Sequence, residues 1–347
     1  MRHTLSKVLS QYAWSRLPDA QLLDLRFCDL KLRLENTPIA ASIQQLEQEL
    51  RLAGLKKFRP HFWLSSEWFC PDGVPGIAVP FYLAHPRLTK LERSQMLQAE
   101  GANRVQRMQI LRHEAGHALD TAYRLHYRKR WRELFGSFAD PYPQTYAPRP
   151  GSRKYVVHLP AWYAQAHPAE DFAETFAVWL RPHSRWKRDY AGWPALRKLE
   201  YVAQLANEIG DVTPPVRSRA MPESLTRDTR TLRDHYRAKR LFYADEFPDF
   251  YDTDLRKIFS ADPRYAARPT AASFLRRARP QLREDAARWT GAHPYTVDQV
   301  LRDMIDRSRE LKLRLAVPQP AAVKEATLMV TVNTAHFMHS GHHPVAL

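Results

Sequence analysis

The chain carries 26 prolines in 347 residues, yet none falls between Arg87 and Asp140. A proline inside a helix costs roughly 3 kcal/mol, so this interval is where a long helix can run unbroken. Within it Met108, Leu111, Ala115, Ala118, Leu119, Ala122 and Leu125 recur every three or four positions. That spacing predicts a helix from Asn103 to His126. The helix carries His113-Glu114-Ala115-Gly116-His117. Residues four apart lie one turn above each other on one face, so the two imidazoles can converge on one metal ion. Glu114 sits beside them, within reach of a water bound to that metal. Zinc lowers the pKa of such a water toward ~7, and the glutamate can take its proton.

A catalytic zinc takes three protein ligands and keeps one position open. The extended motif that supplies a third ligand from the same segment needs Gly at 120 and His at 123, where Asp120 and Tyr123 stand. The third ligand is therefore expected downstream. Pro168 suits the first turn of a second helix running to about Leu180 and ended by Pro182. Glu170 and Glu174 share one face of it. One of them can bind metal while the other hydrogen-bonds a ligand imidazole. Phe172, Phe176 and Trp179 predict that this helix is largely buried, where an unpaired carboxylate is costly. Tyr163, seven residues before Glu170, would offer a phenol whose hydrogen bond gains value as negative charge develops on a carbonyl oxygen in a dry site.

The run His113-Glu-Ala-Gly-His117-Ala-Leu-Asp120, then Tyr163-Ala164, then Glu170-Asp-Phe-Ala-Glu174, resembles the gluzincin metallopeptidases of the anthrax lethal factor catalytic-domain type. It is similar also to a related bacterial cytosolic peptidase group and to the family called putative zinc-binding metallopeptidases. The specific motifs cover about residues 104–180; for the last family the similarity extends to Pro75–Leu88. The resemblance implies one catalytic zinc held by His113, His117 and Glu170, with Glu114 as general base. It implies that Tyr163 donates a hydrogen bond to the tetrahedral oxyanion, and that Asp120 and Glu174 stand behind the ligands. The chain departs from the pattern at Asp171, where relatives carry an aromatic, so Asp171 and Glu174 stay open beside Glu170 as third-ligand alternatives.

Composition narrows the function classes. Hydrophobic residues make up 44% and charged residues 26%, with a mean hydropathy of -0.54. No apolar run approaches the ~18 residues of a membrane span, and residues 1–19 lack the apolar core of a secretory signal. Cys28 and Cys70 are too few for a disulfide framework or a four-cysteine zinc site, which points to a reducing, cytoplasmic setting. The net charge of +16 would draw acidic partners. Its basic residues are interleaved with acids, however, and no recognised nucleic-acid motif is present. The expected partner is therefore a peptide or protein substrate, acidic ones being favoured by net charge, with neither membrane nor nucleic acid. Two rival readings are a zinc-bearing scaffold that binds a protein or acidic ligand without cleaving it, and a basic nucleic-acid-binding protein. The presence of Glu114 argues against the first, and the missing motifs against the second.

The expected fold is α+β. A zincin-like domain over residues 1–212 would contain a small twisted sheet, the metal-binding helix beneath it and the Glu170 helix closing the site. Residues 213–347 would form a basic, mainly helical region. Ile43, Leu46 and Leu50 predict a helix over Ser42–Leu52. Ile77–Leu83 reads as a strand, put at an edge by Pro80, with the capacity to pair an extended substrate. Leu196–Glu208 suggests another helix, and Asp211–Pro222 a linker. Thr296 and Gln299 form a capping pair, and the alternation in Thr327–Thr334 suggests a strand. His158 and His167 flank the site segment, where lone histidines are usually structural. His336, His339, His342 and His343 form a tail cluster able to bind metal.

Overall fold

The structure is a computed structural model that describes residues 12–143, 145–146, 149, 151–243, 251–339 and 343–344. It is mainly helical with small two-stranded sheets, an α+β composition. The chain divides into two compact units. The first holds residues up to Gln95 and Ala99–Tyr236; the second holds Met96–Gln98 and Arg237–Pro344. No helix among the described residues is long and apolar enough to cross a membrane.

In the first unit, α1 (Pro38–Leu52) starts earlier than the apolar spacing predicts. Thr37 caps it by accepting from the Ala40 N–H, and Pro38 occupies the first turn, where its missing N–H costs nothing. Strands β1 (His61–Ser65) and β2 (Gly76–Pro80) pair in parallel, with Trp63 opposite Ala78. β2 is buried at all five positions. It is shorter and less open than its sequence suggests. Pro80 ends it, Phe81–Leu83 turn into a 3-10 helix, and the Ala78 N–H donates to Phe69 O at 2.8 Å. That donor is not available to an extended substrate.

The proline-free interval yields α2 (Arg104–Tyr123). Asn103 caps its start by accepting from the Gln106 N–H at 2.8 Å, and Arg124, in the left-handed region at φ 53°, ends it. Fifteen of its twenty residues are buried, so its charged members need partners. Arg112 makes a bidentate pair with Glu49 of α1 at 2.8 and 2.9 Å. Arg107 bonds Ser42 Oγ at 2.8 Å and the Gly101 carbonyl at 2.9 Å. The Glu49 pair and the Ser42 bond fix α2 against α1.

Helix α3 (Lys129–Phe135) places Trp131 and Phe135 against Phe172 of α4 (Pro168–Leu180), with ring centroids 5.9 and 5.3 Å apart. α4 has the bounds its sequence predicts, with Pro168 in the first turn. Helix α5 (Leu196–Ile209) packs on α4, with Leu199 in one apolar cluster with Val178, and also buries Val202, Leu205 and Ile209. The proline-rich 211–222 segment forms neither helix nor strand. It is pinned along β1, because His61, Trp63 and Ser65 share one strand face and bond the carbonyls of Ala220, Pro222 and Glu223 at 2.8, 2.8 and 3.0 Å.

The second unit is built from α6 (Asp252–Ile258), α7 (Ala271–Thr290), α8 (Pro294–Glu310) and α9 (Gln319–His339) around an apolar core that includes Leu275, Leu282, Val300, Leu301, Met304 and Val330. Phe259–Ser260 and Arg314–Leu315 add a short antiparallel pair. Two expectations are corrected here. The Thr296–Gln299 pair lies inside α8, whose cap is His293, its Nδ1 accepting from the Tyr295 N–H. Thr327–Thr334 is helical, not a strand. Met329, Val330, Asn333 and Thr334 are buried while Leu328 and Val332 are exposed, a spacing of three and four. The hydroxyls of Thr327 and Thr331 donate to carbonyls four residues back, at 2.9 and 2.7 Å. β-branched residues imitate strand alternation over so short a window. His342 and the side chains of His336, His339 and His343 lie outside the described residues.

Candidate metal centre

Gly116 lets α2 and α4 touch backbone to backbone. A Cβ at this position would stand 2.8 Å from Ala173 Cα. This approach sets the imidazoles of α2 against the carboxylates of α4. His113 Nε2 and His117 Nε2 are 3.1 Å apart. Glu170 Oε2 lies 3.0 Å from the first and 3.2 Å from the second. Among the described residues His113, His117 and Glu170 form a group able to hold a metal ion.

The surroundings fix which lone pairs face inward. His113 Nδ1 lies 2.8 Å from Glu174 Oε1, so Nδ1 donates and the neutral ring turns its Nε2 lone pair toward His117 and Glu170. Glu174 Oε2 accepts from the Leu159 N–H at 2.8 Å. Both Glu174 oxygens are thus engaged, and this residue stands behind His113. Three electron-rich atoms meeting at one buried point repel each other unless a cation or protons sit among them. The titration preferences agree. Burial disfavours the His113 imidazolium, but hydrogen bonds to Glu170 and Glu174 outweigh it and hold its pKa well above the usual imidazole range. His117 is pulled the same way, burial being outweighed by the Glu170 charge. Burial also penalises the Glu170 carboxylate, yet the charge of His117 and hydrogen bonds from both histidines hold it well below the carboxylate range. The site is therefore built for positive charge, and its set of two imidazoles and a carboxylate fits a catalytic zinc.

The other predicted residues fall around this point. Glu114 is buried; desolvation raises its pKa, and the neighbouring His113 and His117 partly oppose the rise. Its carboxylate makes no hydrogen bond among the described residues. The Tyr163 ring centroid is 5.7 Å from that of His113, and burial raises its phenol pKa well above normal. Trp162, just before it, takes φ 53°, a left-handed conformation costly for a bulky residue, so this turn is held by its surroundings. Asp120 bonds His126 Nδ1 at 2.6 Å rather than either of the paired histidines. Asp171 points to Lys198 of α5, which also donates to the Lys154 carbonyl. Burial lifts the Asp171 pKa to about 7, with Lys198 limiting the rise. His158 Nε2 donates to the Gln109 carbonyl at 3.0 Å, a structural bond.

Sequence reasoning did not find Tyr142. Its hydroxyl donates to Glu170 Oε1 at 2.8 Å, and its ring stacks on His167 with centroids 3.8 Å apart. His167 caps α4, its Nδ1 accepting from the Ala169 N–H at 3.1 Å while Nε2 donates to the Asp140 carbonyl at 2.9 Å. Tyr142 lies 28 residues before Glu170 in a proline-rich loop, and no spacing rule reaches it.

The arrangement defines a class first: two imidazoles one turn apart on one helix, a carboxylate from another, and a buried glutamate beside them. Residues 98–188 match the family described as "Putative zinc-binding metallo-peptidase", a stretch that contains all of these residues. No curated protein and no solved structure matches the chain.

Proposed function

We propose that this chain is a zinc-dependent peptidase of the gluzincin type, with one zinc held by His113, His117 and Glu170 in a zincin-like domain over residues 1–212. The basic region 213–347 accompanies it, and the setting is cytoplasmic. The single observation that carries the reading is the meeting of His113 Nε2, His117 Nε2 and Glu170 Oε2 at one buried point, with Glu114 alongside. When bound, zinc supplies a Lewis acid for the scissile carbonyl and lowers the pKa of water toward ~7. Glu114 takes the proton of the attacking water and later passes it to the leaving amine. Its desolvated carboxylate, with the raised pKa, suits both roles. Tyr163 donates its hydroxyl to the carbonyl oxygen as negative charge develops there. Glu174 keeps His113 in the tautomer that presents Nε2. The substrate is a peptide or protein, with acidic segments favoured by the +16 net charge.

The test is metal analysis of the wild type and a Glu114→Gln variant, with both assayed on a peptide library. About one zinc per chain is expected in both, and the variant should turn over roughly 10²–10⁴-fold more slowly. Equal turnover removes the proposed base. Glu170→Ala should release zinc. If Asp171→Ala or Glu174→Ala abolishes binding and Glu170→Ala does not, the ligand set is different.

A further inference from the structure

The two oxygens of Glu170 have different partners. Oε2 faces both imidazoles at 3.0 and 3.2 Å. Oε1 accepts from the Tyr142 hydroxyl at 2.8 Å. A carboxylate can bind a metal through one oxygen or both, and the choice decides whether a coordination position stays open. A hydrogen bond to the second oxygen withdraws its lone-pair density and holds the carboxylate plane.

Tyr142 is itself fixed. Its ring lies nearly parallel to His167, at 19° and 3.8 Å between centroids. His167 has both ring nitrogens in use, one capping α4 and one on the Asp140 carbonyl. The loop that carries Tyr142 is therefore clamped to the first turn of the helix that carries Glu170. The residue is about half exposed, at 49%, while its hydroxyl reaches the buried Glu170. Facing a carboxylate oxygen, which can only accept, the Tyr142 hydroxyl is the donor of this bond.

We propose that Tyr142 is a positioning residue that restricts Glu170 to metal binding through Oε2 alone and so keeps one position free for water or substrate. This rests on the proposed zinc centre. In the absence of the Tyr142 hydrogen bond, Oε1 is free to swing toward the metal and fill that position. Tyr142 thereby acts through Glu170 and takes no part in proton transfer.

The experiment is a Co2+ titration of the metal-free full-length chain, followed by visible absorption. Tyr142→Phe keeps the ring and its stacking on His167, so it leaves the loop clamped. The wild type should bind one Co2+ with the intense bands of a four-coordinate site. Tyr142→Phe should bind roughly 10–100-fold more weakly, the usual effect of losing a hydrogen bond to a ligand, and show the weaker bands of a five-coordinate site. Unchanged bands in Tyr142→Phe overturn the proposal, whatever the affinity, and leave the metal centre standing. Binding of Co2+ by His113→Ala as tightly as by the wild type, or no binding by the wild type, overturns the centre and the proposal together.

Discussion

Helix α2 of the first unit and helix α8 of the second have twenty and seventeen residues, and they treat buried charge in opposite ways. α8 buries one acid, Asp298, completely. Arg279 and Arg283 from α7 and Arg302 from α8 itself surround it. Asp298 is the fully buried charge and is satisfied, while the three guanidiniums are partly exposed and leave their excess charge to solvent, so no buried charge remains uncancelled. α2 buries Arg107, Arg112, His113, Glu114 and Asp120. The two arginines are answered by Ser42, Glu49 and backbone carbonyls, and Asp120 by His126. His113 and His117 are answered only by carboxylates that leave a net demand for a cation. Buried charge alone does not mark a site. Buried charge with an uncancelled remainder does.

Three experiments press on this contrast. Asp298→Ala strips the common partner from three arginines. Breaking a fully buried pair costs about 3–5 kcal/mol, but these arginines can reach solvent, so the expected loss is about 2–3 kcal/mol in urea unfolding, with metal content unchanged. A loss of metal would mean that the two clusters are not independent. Gly116→Ala comes next. On an ordinary helix alanine would stabilise by up to about 1 kcal/mol. Here its Cβ meets Ala173 Cα, and overpacking should dominate, at about 1–3 kcal/mol of destabilisation together with weaker metal binding. A rise in melting temperature would show that the helices are not in backbone contact. The smallest effect concerns pH. Burial, with help from Lys239, lowers the His293 pKa to about 3. Below the unfolded value of ~6.5 the unfolded chain takes up a proton that the folded one refuses, so stability falls as pH drops toward 3. Between pH 6.5 and 5.5 the loss should be about 1 kcal/mol, and His293→Asn, which keeps a capping side chain, should flatten it. An unchanged slope would place the effect elsewhere.

Helices with long apolar periods were legible in the sequence. α2 and α4 appear where Met108–Leu125 and Pro168–Leu180 predict them, although Arg124 ends α2 before His126. Local signals failed where distant groups decide. Thr296 and Gln299 have the spacing of a cap, but His293 and Pro294 start the helix one turn earlier. The alternation in Thr327–Thr334 hides a helix because the core of the second unit accepts its three-four face. Around the centre, the His113–His117 spacing and the Glu170–Glu174 pair were readable, since each is a property of one helix. Which carboxylate faces the imidazoles was not readable, because it depends on Lys198 and Leu159, partners from other segments. Tyr142 was invisible for the same reason.

Asp171 gives α4 a rotational register. Successive residues on a helix are separated by about 100°, so Asp171 and Glu170 point to different sides. Asp171 is keyed to Lys198 on one side, while Glu170 and Glu174 engage the imidazoles on another. A helix locked at two azimuths cannot turn to offer a neighbouring carboxylate without stranding a charge at each. Charge reversal at Lys198, far from the imidazoles in sequence, should therefore loosen the orientation of Glu170 before it loosens the fold.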